Sequence, residues 1–493
     1  MSIKSLSRDF AFYGLLDFLQ RSLGIILIPI YTRVLTQKNY GDLDLILTVF
    51  SALTVLVDLQ FVAGISRFYL MHRRTGEGPR FLGTALLTRA ALGSVIAAVF
   101  LVLGYAGHLE MKFIPSFLAN RSAWTLVAVG IPVTFVYDIL LVQAQMLRWK
   151  RWFFAGALGN TVLTTALCVV FTILVPLGIV GVVLGQLLGK VAAACVLFVG
   201  LRREISFRYQ KQLLTELARY TLPLVPGWWI GFSSSYVGRF FIYAGQGAKE
   251  NAILSITTKL AAMLGLFCVG FRTAWQPLAM SYIGDERGEE FYVRSLRLFM
   301  AGGALSVFGL TVLCKPILTI LAPRSYGVAE YYVPFFLIAS IVGELDVNLQ
   351  LGNQISRKTY WISVSSAIAF AINLAILTTL TSRAGIYAAG IGLLASFVAK
   401  VTITYFSAQR NYSVHYDRRS MGVFGLGCLA LLVLSVGRSL SLINNVVFFA
   451  NTVALGIVIP WWTLAFSERQ AVKHWGVAGL AQINNVRRIR NKE

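Results

Sequence analysis

The chain has 493 residues, 57% of them hydrophobic and only 13% charged, and Lys and Arg outnumber Asp and Glu by 44 to 21. That composition excludes an ordinary soluble domain. It also removes the usual step from a net charge of +23 to nucleic acid, because basic loops between apolar spans give the same excess. Apolar stretches of about 20 residues, the length of one helical crossing, recur about fourteen times. The expectation is an all-α polytopic membrane protein.

In chain order the predicted spans are 10–30, 42–66, 82–104, 123–147, 156–176, 178–200, 220–244, 254–275, 298–321, 332–352, 361–381, 386–406, 421–437 and 445–466. Met1 to Lys4 lead straight into the first span without a small-residue cleavage site, so no removed signal peptide is expected. With the N-terminus in the cytoplasm, inside segments carry 28 Lys and Arg, outside segments 8, and the spans the other 8. The inside set includes Arg67, Arg73, Arg74 and Arg80, Arg148, Lys150 and Arg151, Arg202 and Arg203, and the tail residues Arg487, Arg488, Arg490 and Lys492. That bias predicts both termini in the cytoplasm and reads these loops as topology signals. The longest outside loop, near 105–122, is too short for a soluble domain. Cys168, Cys195, Cys268, Cys314 and Cys428 fall in or at the ends of spans with no C-x-x-C pair, so they are expected as reduced packing residues.

The chain repeats itself. Gly178-Ile179-Val180-Gly181 with Gly185 and Gly189 opens the sixth span, and Gly385-Ile386-Tyr387-Ala388 with Gly392 and Ser396 opens the twelfth, 207 residues on. The same offset pairs Tyr13 with Tyr220 and Gly24 with Gly231. An even number of spans per unit sets both units the same way up. The expected organisation is an N-terminal lobe over 1–200, a cytoplasmic linker over 201–219 and a C-terminal lobe over 220–408. An extra helix pair over 420–466 and a basic tail over 467–493 follow. Substrate sites in such proteins lie near the bilayer midplane. Gly181, Gly185 and Gly189 form a small-residue stripe that invites a neighbouring helix. Gly185 to Lys190 is one residue short of a phosphate loop and lacks its Ser or Thr, so that reading is rejected.

Charges inside spans are costly and mark pathways. The first lobe holds Arg21, Arg89 and Lys190 with Asp17, Asp44, Asp58 and Asp138; the second holds Arg239, Lys259, Arg272, Lys315 and Lys400 with Glu344 and Asp346. Arg239, Arg272 and Lys315 lie close enough to helix ends to snorkel, Asp44 sits where water would reach it, and Asp17 can neutralise Arg21 one turn away. Lys190, Lys400, Asp58 and Asp138 are central. They either line a cavity or form ion pairs that fix helix packing. Span seven, with Pro223, Pro226, Gly227 and Gly231, is expected to be interrupted before Tyr236, Arg239 and Tyr243, a cation between two aromatics on one face. Glu344 to Gln350 in span ten is too polar for lipid and is expected to line the lumen.

Leu27-Ile28-Pro29-Ile30-Tyr31-Thr32-Arg33-Val34-Leu35-Thr36, then Tyr40-Gly41, and later Gly64-Ile65-Ser66-Arg67-Phe68, resemble the Wzx-type polysaccharide flippases. These belong to the multidrug/oligosaccharidyl-lipid/polysaccharide exporter superfamily. The resemblance covers essentially the whole chain. It implies two six-helix lobes in a V-shaped, MATE-like arrangement plus two extra helices, alternating access, and no enzymatic step or resident cofactor. The implied cargo is an undecaprenyl-diphosphate-linked O-antigen or exopolysaccharide repeat unit, moved from the cytoplasmic to the outer leaflet of the bacterial inner membrane. Implied partners are that lipid-linked oligosaccharide, membrane lipids, and the polysaccharide polymerase and chain-length proteins, with no nucleic acid.

An anionic diphosphate suits intramembrane cations. Arg21, Lys190, Tyr236, Arg239, Lys259 and Lys400 are therefore the candidate substrate-binding residues, with Trp228, Trp229, Asn348 and Gln350 available to sugars. Asp58, Asp138, Glu344 and Asp346 are the candidate ion-coupling residues for a proton or sodium gradient. Two readings compete. A drug/cation antiporter of the same superfamily would favour an acidic binding lobe, which the first lobe allows weakly but the second does not. A membrane polymerase or ligase would need a sizeable outside loop with acid/base groups, whereas of His72, His108, His415 and His474 only His108 is expected outside.

Overall fold

The computed structural model describes residues 25–106, 120–147, 149–283, 285–356, 358, 360–465 and 467–470. Every regular element among them is helical. Eleven are long and apolar enough to cross a membrane, which makes this a multi-pass membrane protein.

Three of the fourteen expected spans are not among the eleven. The first lies largely outside the described residues, where Ile25–Val34 (α1) is its visible end. The second and seventh are the helices Gln37–Asp58 (α2) and Val225–Gln246 (α9), each 22 residues long. At 1.5 Å per residue each is about 33 Å long, enough to cross a bilayer. Their polar content sets them apart: α2 carries Asp42, Asp44 and Asp58, and α9 is rich in Gly, Ser, Tyr and Trp. These two helices also carry part of the candidate site.

Local chemistry fixes where helices begin and stop. Thr36 caps α2 by accepting from the Asn39 amide, and Asp417 and Asn444 do the same for Arg418–Ser439 (α17) and Asn445–Thr463 (α18). The expected span 42–66 is not one helix. Leu59 (φ 44°) and Gln60 (φ 56°) are left-handed and divide α2 from Phe61–Arg74 (α3). Met263 similarly separates Ala248–Ala262 (α10) from Leu264–Ser281 (α11). Conversely, α9 is uninterrupted. Pro223 lies in a preceding 3-10 turn and Pro226 in the first turn of α9, where a missing N–H leaves no bond unmade.

The glycine stripe does what its spacing suggests. On Gly178–Leu201 (α7), a Cβ at Gly181, Gly185 or Gly189 would strike Phe171, Cys168 and Thr164 in turn. These belong to Lys150–Val169 (α6) and its π-helical extension, so the two helices touch along three turns. Gly178 and Gly385, one repeat apart, are both left-handed, with φ of 60° and 53°. Gly385 immediately precedes Ile386–Asn411 (α16).

The chain forms two compact units. One comprises 1–256, 318–328 and 366–393, the other 257–317, 329–365 and 394–493. The core of the first includes Ile65, Tyr69 and Phe81 with Leu140 of Arg121–Met146 (α5) and Leu197. The second gathers Trp275, Tyr292, Leu351 and Val414. Within the second, Arg438 on α17 is buried and bonds Glu330 at 2.8 Å and Asn445 at 2.7 Å. This fastens the last two helices to Ala329–Leu349 (α13).

Candidate functional site

In the first unit α2, α9 and α10 meet through polar groups. Arg239 Nε lies 3.3 Å from Asp44 Oδ2, and its Nη1 donates to Thr48 Oγ1 at 3.2 Å. Its guanidinium carbon sits 5.0 Å from the Tyr236 ring centroid. Ser255 donates to Asp44 Oδ1 at 2.6 Å, Asn251 donates to the Gly41 carbonyl at 2.9 Å, and Tyr243 donates to Asp42. Asp44, expected to meet water, is 5% exposed. It is enclosed because Gly41, one turn earlier, presses against the Ala248 carbonyl and admits α10. The expected face of Tyr236, Arg239 and Tyr243 therefore splits: Tyr236 stays with the cation while Tyr243 turns to Asp42. Next to Tyr236 is a cavity of about 180 Å³ lined by Val55, Trp229, Phe232, Phe240 and Phe370. Trp229 Nε1 donates to the Val55 carbonyl at 3.1 Å, and Phe232 stacks on Tyr236 with centroids 4.4 Å apart.

A second group joins the end of α2 to α5, α7 and Gly78–Tyr105 (α4). Arg89 on α4 is 1% exposed, forms an ion pair with Asp58, and lies 4.3 Å from the Phe135 ring centroid. Gln60 donates to Asp58 at 3.3 Å. Lys190 Nζ donates to Thr134 Oγ1 at 3.0 Å and lies 5.2 Å from the Phe50 ring centroid. The space beside it, about 20 Å³, has room for a single water and is no open lumen. Asp138, one turn after Thr134, interacts electrostatically with Lys190, Arg89 and Asp58. Two acids and two cations thus balance one another. Asp58 is not the isolated carboxylate that its central position suggests.

In the second unit Lys400 Nζ is 3.0 Å from Asp346 Oδ2, and Arg272 is 3.9 Å from Glu344. Lys259 is half-buried on α10 and Lys315 is exposed. Asp346 and Asn348 are buried, whereas Glu344 and Gln350 of the same stretch are half-buried. Arg21 and Asp17 lie outside the described residues. The structure brings Asp58, Asp138 and Lys190 together, Arg239 with Tyr236, and Lys400 with Asp346.

The sequence marked Lys190 and Lys400 as central cations but did not assign their acids. Asp346 follows Asp138 by 208 residues and Lys400 follows Lys190 by 210, close to the 207-residue repeat. Extending that offset to every intramembrane charge would have found the pairs. No comparable signal marked Asp44 as the partner of Arg239.

The structure resembles the lipid II flippase MurJ in an inward closed conformation, with a TM-score of 0.73 at 13% identity, covering 94% of this chain and 100% of that one. It also resembles an inward-facing multidrug resistance MATE family transporter of the MOP superfamily, with a TM-score of 0.65 at 12% identity over 79% of this chain and 94% of that one. For a mutant of the Vibrio cholerae MATE transporter VcmN the values are 0.55, 17%, 82% and 96%. The fold is therefore one shared by flippases and transporters. No curated protein matches the sequence. A family model described as polysaccharide biosynthesis protein matches residues 6–283, more than half of the chain. The chain belongs to the polysaccharide biosynthesis protein family.

Proposed function

We propose that this protein flips undecaprenyl-diphosphate-linked oligosaccharide repeat units from the cytoplasmic to the periplasmic leaflet of a bacterial inner membrane, by alternating access. The observation that carries this reading is Arg239, held by Asp44 against the ring of Tyr236, which lines an aromatic cavity. An intramembrane cation neutralised by a neighbouring acid is tolerable in the empty protein. An arriving diphosphate, with more charge and more acceptor oxygens, competes for the same guanidinium, while the aromatic cavity offers ring faces to a sugar.

In this reading Arg21, Lys190, Tyr236, Arg239, Lys259 and Lys400 serve the headgroup and its first sugars. Asp58, Asp138, Glu344 and Asp346 serve a coupling proton or sodium ion. The lobes are 1–200 and 220–408 of a fourteen-span chain whose ends are both cytoplasmic. The released unit passes to the polymerase and chain-length proteins that extend the surface polymer, whether O-antigen or exopolysaccharide.

The test is loss of the protein in its host. Lipid-linked oligosaccharide should accumulate on the cytoplasmic leaflet, protected from an enzyme added outside, and the surface polymer should disappear. Normal surface polymer with increased drug sensitivity would replace this reading with a drug/cation antiporter.

A further inference from the structure

Where α6 begins and α7 ends, a cleft of about 580 Å³ opens between two short basic segments. Trp149, Lys150, Arg151 and Trp152 form one wall, and Arg202 and Arg203 stand on the other. Its lining among the described residues includes no carboxylate. Glu204, next along the chain, is turned elsewhere, accepting from Tyr69 at 2.7 Å and Arg73 at 2.9 Å. The Trp152 indole lies against the bare backbone of Gly200, where an added Cβ would approach the ring to 2.4 Å. Leading away from the cleft, Val199, Val196 and Phe154 are 57%, 41% and 43% exposed.

A topology signal needs only that the charges be present on one side of the membrane. Packing of α6 against α7 brings these segments, about fifty residues apart in sequence, to the same end of one helix pair, but a topology signal does not require them to wall one concavity. Nor does it account for an indole seated on a glycine or for the apolar strip alongside. Together these features match an amphiphile. Lys and Arg suit a phosphate, indoles sit at headgroup level, and exposed Val and Phe suit acyl chains.

We propose that this cleft binds the headgroup of an anionic phospholipid in the leaflet bordering the chain's basic loops. The site shares no residue with the translocation machinery, and its existence does not depend on which cargo is moved.

Native mass spectrometry of the full-length purified protein tests it, with phosphatidylglycerol, phosphatidylcholine and inorganic phosphate as separate probes. The wild type should retain one phosphatidylglycerol in preference to phosphatidylcholine. Arg202→Gln with Arg203→Gln should weaken that binding roughly 30-fold, from about 1 kcal/mol per cation. Lys150→Gln with Arg151→Gln on the facing wall should do the same, whereas the Arg202→Lys, Arg203→Lys pair should bind nearly as the wild type does. Equal affinity for the two lipids, or undiminished binding in either glutamine pair, overturns the proposal. Displacement of phosphatidylglycerol by millimolar inorganic phosphate alone would make this a free-phosphate site and overturns the lipid assignment too. If the glutamine variants cannot be recovered, the wild-type comparison of the two lipids decides.

Discussion

Lys400 donates to Asp346 across 3.0 Å in the second unit, and Lys190 and Asp138 hold the repeat-related places in the first, coupled through their charges. Each repeat thus keeps a cation on its sixth span beside an acid on its fourth. A pair of this kind is quiet towards lipid yet leaves the cation open to a stronger anion.

Removing one partner should cost more than removing both. Lys400→Met strands Asp346, which is 5% exposed, and should lower stability by about 3 kcal/mol. Adding Asp346→Leu should recover most of that loss, as read by thermal melting in detergent. Transport should fail in both variants. A double variant that melts and transports like the wild type would assign the pair to packing alone.

Asp44→Asn removes one acidic partner of Arg239. Binding of a soluble diphosphate ester, measured by calorimetry, should tighten about 10-fold, or 1.4 kcal/mol, and Arg239→Gln should weaken it by a similar factor. If Asp44→Asn lowers the melting temperature and leaves affinity unchanged, Asp44 only fastens α2 to α9.

Asp58 and Asp138 should part company. Asp58→Asn leaves Asp138 alone to balance both Lys190 and Arg89, which is 1% exposed, and should reduce the amount of folded protein, with recovery on adding Arg89→Met. Asp138→Asn should accumulate better than Asp58→Asn, because the Arg89–Asp58 ion pair survives and Lys190 keeps its bond to Thr134. It should instead lose any dependence of transport on an imposed pH gradient. Gradient dependence that survives in Asp138→Asn would move coupling to another acid.

Orientation has its own check. Reporter fusions after residues 150, 210 and 470 should read as cytoplasmic, and one near residue 115 as external. An external signal at 210 would break the like-oriented repeat.

The sequence made the spans and the repeat visible because both rest on local composition. Twenty apolar residues need no tertiary context, and Gly178 and Gly385 mark left-handed positions that favour glycine. The divide at Leu59 and Gln60 was hidden, since neither residue type announces a left-handed conformation. The prolines of span seven misled because Pro breaks a helix interior but fits its first turn. Arg239 and Asp44 stand nearly two hundred residues apart, and only the packing of α2 against α9 reveals them as partners.

The joint between α2 and α3 behaves as a loaded spring. Leu59 and Gln60 both occupy left-handed backbone, which costs L-residues roughly 1–2 kcal/mol apiece. A straight helix through this point would recover that energy. Asp58, at the last turn before the joint, is tied sideways to Arg89 on α4, so the ion pair sits at the bend itself. The strain held at the two residues together is comparable to what shifts a two-state population several-fold or more. The chain carries its own mechanical bias in two residues of backbone.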